Sequence, residues 1–402
     1  MAKAKRLRLH KNHTWLKARG KRASGAAVNI CSMTKGLRIP YHNKADGFMA
    51  ALVLTLNQFK FCEFHGCQPH VDWGPFPACK YAGVRFPGRT PFHDAARGRN
   101  AFEYYFRPVC ESHAPAQEVS PALSCEQREK VHRVLPWAVR TYHYGAGSSA
   151  GVRPTAANDT FDEPWYAAQR AEGARLVRSY LRLQAHVTER LAGLEAELLG
   201  GGLSNSIGSS GSSSSSSSSG GGGGSGSGDA GDAGAGELPQ APRRGPVLGV
   251  HLRGTDKGKY MNSAGSGRPI GPAEYEPYVR AFLAYHGANA SVFLATDSPS
   301  YLDDVVRRWP SGRVRYRHDV LRHEGNVAFA GATATKGASY RKGEEVLLDA
   351  LLLSRCDFLL HAASGVAEAA IYWRPALHKQ SVHLQYSRGR TQPDWLGAAA
   401  ER

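Results

Sequence analysis

Val247-Leu-Gly-Val250-His251-Leu-Arg253-Gly254-Thr-Asp256-Lys257 is the stretch on which the fold turns. It opens with a short apolar run and closes with polar and basic residues. Two later stretches repeat the pattern: Ser291-Val-Phe-Leu-Ala295 runs into Thr296-Asp297, and Cys356-Asp-Phe-Leu-Leu360 runs into His361 and Ser364. Helix-like segments lie between and after them, over Glu274 to His286, Pro299 to Trp309, Glu344 to Arg355 and Gly365 to Trp373. Strand and helix in regular alternation predict a parallel sheet with crossover helices. In such sheets ligands bind outside the carboxyl ends of the strands.

That rule gathers separated residues into one expected site. His251, Arg253, Asp256 and Lys257 close the first strand, Asp297 closes the second, and Ser364 closes the third while opening a helix. A helix N-terminus presents amide donors and the positive end of its dipole, so Ser364, Gly365 and Val366 are placed to hold an anion. Arg253 adds a fixed two-pronged donor suited to phosphate oxygens. Asp297 suits a base or a ribose hydroxyl, though a helix cap before Ser298-Pro299 accounts for it equally well. Together these groups describe a site for a nucleoside diphosphate. No G-x-G-x-x-G follows any of the strands, which disfavours an ordinary dinucleotide fold, and no G-x-x-x-x-G-K-[ST] occurs, which removes a P-loop ATPase.

Working outward, 402 residues with 42% hydrophobic content suffice for two cores. The segment Gly200 to Gly236, with its run of serines from Ser212 to Ser219, cannot bury apolar surface and reads as a flexible linker or insertion. The expected division is a basic tail at 1–28, an N-terminal α/β domain at 29–199, the Gly/Ser-rich segment at 200–244 and a C-terminal nucleotide-binding α/β domain at 245–402. Leu176, Tyr180, Leu183, Val187, Leu191, Leu194 and Leu198 form the stripe of one amphipathic helix. Asp46 to Phe64 reads as a helix and Gln68 to Trp73 as a strand.

The formal charge is +17, and residues 1 to 22 supply nine basic groups with no acid. Such a tail is expected to be a solvated arm; nucleic acid is not the expected partner. No stretch reaches the roughly 18 apolar residues of a transmembrane helix, and no secretory h-region is visible. Six of the seven cysteines lie in the first third, as disulfides in an oxidising lumen or as small buried hydrophobes in a cytosol. A Golgi or secretory lumen is expected if a segment precedes this N-terminus, and the cytoplasm otherwise.

Three segments, Gly249 to Lys257, Phe293-Leu-Ala-Thr296-Asp297 and Leu347-Leu-Asp349 through His361-Ala-Ala-Ser364, resemble the donor-site motifs of the α-1,6-fucosyltransferase and protein O-fucosyltransferase superfamily. They occur in the family's order and at comparable spacing. Lys44-Ala-Asp46-Gly47-Phe48 through Val71-Asp72-Trp73 is similar to its first domain, less specifically. The resemblance implies an α/β, GT-B-like fold with two Rossmann-like domains whose parallel sheets face a central cleft. It implies fucose transfer from GDP-fucose to a glycan or protein hydroxyl, with inversion, no metal and no cofactor beyond the donor. Arg253 then binds the β-phosphate, His251 and Asp297 lie on the guanosine side, and Asp349 and Ser364 complete the nucleotide pocket. The sequence departs from the family in two places. Arg253 is followed by Gly254 where the α-1,6 enzymes carry a second arginine, and Gly258 to Pro272 contains no acid. Glu274 and Glu276 are the next candidates for the catalytic carboxylate, Glu274 being the expected one, or Asp46 from the first half. The alternatives are a GT-B transferase using another nucleotide sugar and a non-catalytic sugar-nucleotide binder.

Overall fold

In the computed structural model, which describes residues 29–33, 36–41, 47–75, 79–81, 84–86, 91–111, 163–200, 245–254, 270–323, 338–384 and 392–396, the C-terminal half carries five parallel strands. These are β5 (Val247–Leu252), β6 (Ser291–Thr296), β7 (Val314–Tyr316), β8 (Phe358–His361) and β9 (Ser381–His383), in the spatial order β7-β6-β5-β8-β9. The chain moves outward from β5 through β6 to β7, then crosses back to β8 on the other side of β5. The order reverses between β5 and β8, which makes that pair the topological switch point.

Helices cover both faces. Pro272–His286 (α4) and Pro299–Arg308 (α5) follow β5 and β6, while Ala338–Arg355 (α6) and Gly365–Trp373 (α7) flank β8. Leu248, Val250 and Leu252 of β5 pack into one core with Tyr275, Val279 and Phe282 of α4 and Val305 of α5. The second core is shared with the N-terminal half. There Phe48, Leu52, Leu56 and Phe59 of α1 (Phe48–His65) meet Leu347, Leu348 and Leu351 of α6 and Ile371 and Tyr372 of α7. Each fully buried side chain of this kind contributes about 1.5–3 kcal/mol. The largest apolar cluster therefore runs through both halves.

The N-terminal half pairs β1 (Gly36–Pro40) with β2 (Gln68–Asp72) in parallel, joined by α1. Gly66 closes α1 in the left-handed region at φ 68°, where a residue with a Cβ is strained. A short antiparallel pair, β3 (Cys79–Tyr81) with β4 (Val84–Phe86), follows. Disulfides join Cys31 to Cys110 and Cys62 to Cys67, while the buried Cys356 thiol donates to the Leu352 carbonyl at 3.4 Å. The α/β class and the parallel strands expected from the sequence are thus present.

One expectation is corrected. The stripe from Leu176 to Leu198 is split between α2 (Glu163–Tyr180) and α3 (Ala185–Leu198). The helix stops because Leu181–Gln184 pairs by its backbone with the chain near Phe106, through Arg107 N–H to Arg182 O at 2.7 Å and Gln184 N–H to Tyr105 O at 3.0 Å. From α2, Arg170 reaches α7 and closes a buried bidentate ion pair with Glu368, at 3.0 and 2.6 Å, with His378 Nδ1 2.7 Å from the same guanidinium. The basic tail and the Gly/Ser-rich segment lie outside the described residues. No described helix is long and apolar enough to cross a membrane.

Candidate functional site

At the carboxyl end of β5 the chain passes from His251 through Arg253 to Gly254. The turn is fixed by Asp297, whose Oδ1 accepts the Gly254 N–H at 2.8 Å. Gly254 lies so close to α5 that a Cβ there would stand 2.6 Å from Ser298 Cβ and 3.2 Å from Tyr301 Cδ2. A side chain at position 254 would therefore force this turn or Ser298 to shift. The cap of α5 is supplied by Ser298, whose Oγ accepts the Tyr301 N–H at 3.3 Å. Asp297 is thereby released from the capping role and holds the Arg253–Gly254 turn.

Across the switch point, Ser364 caps α7 by accepting the Val366 N–H on its Oγ at 3.1 Å. A Cβ added at Gly365 would lie 3.4 Å from Met49 Cβ and 3.8 Å from Ala50 N, so the N-terminus of α7 abuts the N-terminal turn of α1. Two positive helix ends thus converge beside the strand that delivers Arg253.

Glu274 comes to the same end of the sheet. Its Oε2 accepts the Gly271 N–H at 3.0 Å, closing the first turn of α4. Tyr301, which sequence reasoning missed, lies against Gly254. Burial raises its phenol pKa, and the charges of Glu274 and Asp297 add to the rise. Its signal in the sequence was its place in the first turn of α5, directly after a strand-end aspartate.

His251 is buried in the sheet, in register with His361 of β8, which is in turn in register with His383 of β9. The rings of His361 and His383 meet edge to face with centroids 4.7 Å apart. The backbone carbonyl of His251 accepts the Tyr275 hydroxyl at 3.0 Å. Asp349 lies on α6, where Arg317 Nη1 donates to its Oδ1 at 3.1 Å. Burial raises its carboxyl pKa against the opposing pull of Arg317. The structure therefore gathers Arg253, Gly254, Glu274, Asp297, Tyr301, Ser364 and Gly365 at the strand ends, and it ties Asp349 to an arginine that local sequence did not single out. Asp46, Asp256 and Lys257 lie outside the described residues.

No protein-family model matches the chain, and no curated protein matches it. Among solved structures it is similar to NodZ alpha-1,6-fucosyltransferase soaked with GDP-fucose, at 15% identity and TM-score 0.41, with 85% of this chain and 93% of that chain covered. The fucosyltransferase NodZ from Bradyrhizobium gives the same values. A variant of Arabidopsis thaliana FUT1 in complex with GDP is similar at 9% identity and TM-score 0.40, over 96% of this chain and 77% of that one.

Proposed function

We propose that the chain is a GT-B-type glycosyltransferase that moves fucose from GDP-fucose to a hydroxyl of a glycan or glycoprotein, inverting the anomeric carbon. The observation that carries this reading is the placement of Arg253 and the Ser364-capped N-terminus of α7 on the two strands of the switch point, within the three motifs quoted above. A diphosphate held there has a guanidinium fork on one side and helix-end amides on the other.

The reaction needs little more from the protein. An acceptor hydroxyl oxygen bonds to the anomeric carbon, the bond from that carbon to the β-phosphate oxygen breaks, GDP leaves, and the hydroxyl proton passes to a carboxylate. Negative charge grows on the diphosphate as the sugar departs, so a donor aimed at it raises turnover more than ground-state binding. Glu274 stands at the strand ends and Asp46 lies in the sequence two residues before Phe48, the first residue of α1; these two are the proposed proton acceptors. The chain contains no Asp-x-Asp pair to carry a metal-bound diphosphate, and activity is proposed to be independent of metal. The two disulfides support work in an oxidising compartment.

The test is a panel of GDP, UDP and ADP in thermal shift, followed by release of GDP from GDP-fucose with and without EDTA. Selective stabilisation by GDP and turnover in EDTA are expected. Stabilisation by UDP or ADP in preference to GDP refutes the donor assignment, and activity abolished by EDTA and restored by manganese refutes metal independence.

A further inference from the structure

The sequence holds three Asn-x-Ser/Thr triplets: Asn12-His13-Thr14, Asn158-Asp159-Thr160 and Asn289-Ala290-Ser291. The first two lie outside the described residues and the third lies within them. Such a triplet accepts an N-linked glycan when it occupies a surface loop of a protein made in a secretory lumen. A match inside a core, or in a chain kept in a reducing cytosol, carries nothing.

Asn289 meets the first condition. It stands in the short connection between α4, which ends at His286, and β6, which begins at Ser291. Gly287 stops the helix at φ 73°, in the left-handed region that a side chain rarely adopts. The Ala290 N–H donates back to the Gly287 carbonyl at 3.3 Å. Arg313 then clamps both ends of the turn, from Nε to the Ala290 carbonyl at 2.6 Å and from Nη2 to the Gly287 carbonyl at 2.5 Å. All three bonds end on backbone carbonyls, so none of them depends on the Asn289 side chain. Ala290 is buried beneath the turn, whereas Gly287, Ala288 and Asn289 are exposed. The amide is thus carried outward on a turn whose shape is fixed without it.

The second condition is met from the other half of the chain. The Cys31–Cys110 and Cys62–Cys67 bonds belong to an oxidising compartment, and that is where N-glycans are attached. The site also leaves the strand-end groups open. Asn289 lies before the amino end of β6 and Asp297 just past its carboxyl end. At about 3.3 Å per residue, the strand alone separates them by roughly 17 Å.

We propose that Asn289 is a site of N-linked glycosylation. The co-reactant is an oligosaccharide carried on a polyprenyl diphosphate, and a lumenal oligosaccharyltransferase acts on the emerging chain before Ser291 pairs into β6. Asn289 Nδ2 bonds to C1 of the first N-acetylhexosamine. The bond from that carbon to the diphosphate oxygen breaks, its electron pair leaves with the polyprenyl diphosphate, and one amide proton passes to a base of the transferase. The modification does not depend on which nucleotide sugar the strand-end site takes.

The experiment uses the full chain isolated from the cells that make it, with thiols blocked at lysis. One portion is analysed by mass spectrometry for blocked cysteines. The other is treated with peptide N-glycosidase in heavy-oxygen water and digested with trypsin, which releases Ala281 to Arg307, a peptide containing Asn289 and neither of the other triplets. Position 289 is expected to return as heavy-oxygen aspartate in most copies, and only in the glycosidase-treated portion. Asn289→Gln and Ser291→Ala should each lower the intact mass by one glycan, while Ser291→Thr should keep it. Ser291→Ala leaves Asn289 in the turn, so it reports even if Asn289→Gln does not fold. An unlabelled peptide from protein whose Cys31, Cys62, Cys67 and Cys110 are all disulfide-bonded overturns the site. An unlabelled peptide from protein with those thiols free overturns the site and the lumenal compartment together. A label that persists in Ser291→Ala also overturns it, because the triplet is then not what marks the amide.

Discussion

Gly254→Ala tests the turn that aims Arg253. The new Cβ would meet Ser298 Cβ at 2.6 Å, Ser298 Oγ at 3.1 Å and Tyr301 Cδ2 at 3.2 Å. Ser298 cannot swing aside, because it is buried and its Oγ caps α5. The 253–254 turn must move instead, and that movement withdraws the Gly254 N–H from Asp297 Oδ1. Overpacking of this kind costs about 1–3 kcal/mol, and a lost hydrogen bond to a charged group about 1.5–3 kcal/mol. The two share one displacement and do not simply add, so the expected loss is about 2–4 kcal/mol. Denaturant unfolding of purified parent and variant measures it, with GDP titration alongside because Arg253 moves with the turn. Ser298→Gly removes the opposing Cβ at a capping cost of only a few tenths of a kcal/mol. The double variant should therefore recover most of the lost stability. If Gly254→Ala leaves both stability and GDP affinity unchanged, or if Ser298→Gly gives no rescue, the close approach of the two strand-end turns is not what sets this site.

Arg253→Lys keeps a charge but loses the fork; it should fold, retain some GDP affinity and lose about 10²–10³ in kcat, and parental turnover would refute the assignment. Glu368→Gln strips the buried partner from Arg170, and thermal or denaturant unfolding should show a loss of about 3–5 kcal/mol; a loss below 1 kcal/mol contradicts the clamp between α2 and α7. Opening the Cys31–Cys110 bond, which spans 79 residues, by Cys31→Ser should destabilise by about 4–5 kcal/mol on the chain-entropy scale, measured against parent without reductant. Glu172 is held down to about 2, chiefly by its hydrogen bonds from Arg175. Its folded-state value is below the unfolded one, so its contribution is present above pH about 4.3 and fades as pH falls toward about 2. Glu172→Gln should therefore flatten the fall of the urea midpoint between those two pH values, and equal slopes in parent and variant would exclude the linkage.

Why some of this was legible in sequence and some was not follows from where each signal is stored. β5, β6 and β8 could be read because each is an apolar run closed by a polar strand end, and α4 to α7 because their apolar faces recur with helical period. β7 and β9 were missed; each is only three residues long and takes its strand state from the neighbour it pairs with. The break between α2 and α3 was invisible for the same reason, since the backbone that interrupts the helix belongs to residues near 106. Capping is local, yet Asp297 and Ser298 compete for it, and only the distance to Gly254 shows that Ser298 caps while Asp297 holds the turn.

Charge is the hardest signal to read from the chain. Arg317 and Arg322 carry the same side chain and stand five residues apart in the connection after β7. Arg317 is consumed by Asp349, which arrives from α6, and by Asp319. Arg322 reaches the same neighbourhood after those carboxylates are occupied, and its Nε is left without a partner. Whether a basic residue finds a carboxylate partner depends on which acids the fold has already given to other cations. That condition depends on which helix crosses which strand, and no window of sequence around Arg322 contains it.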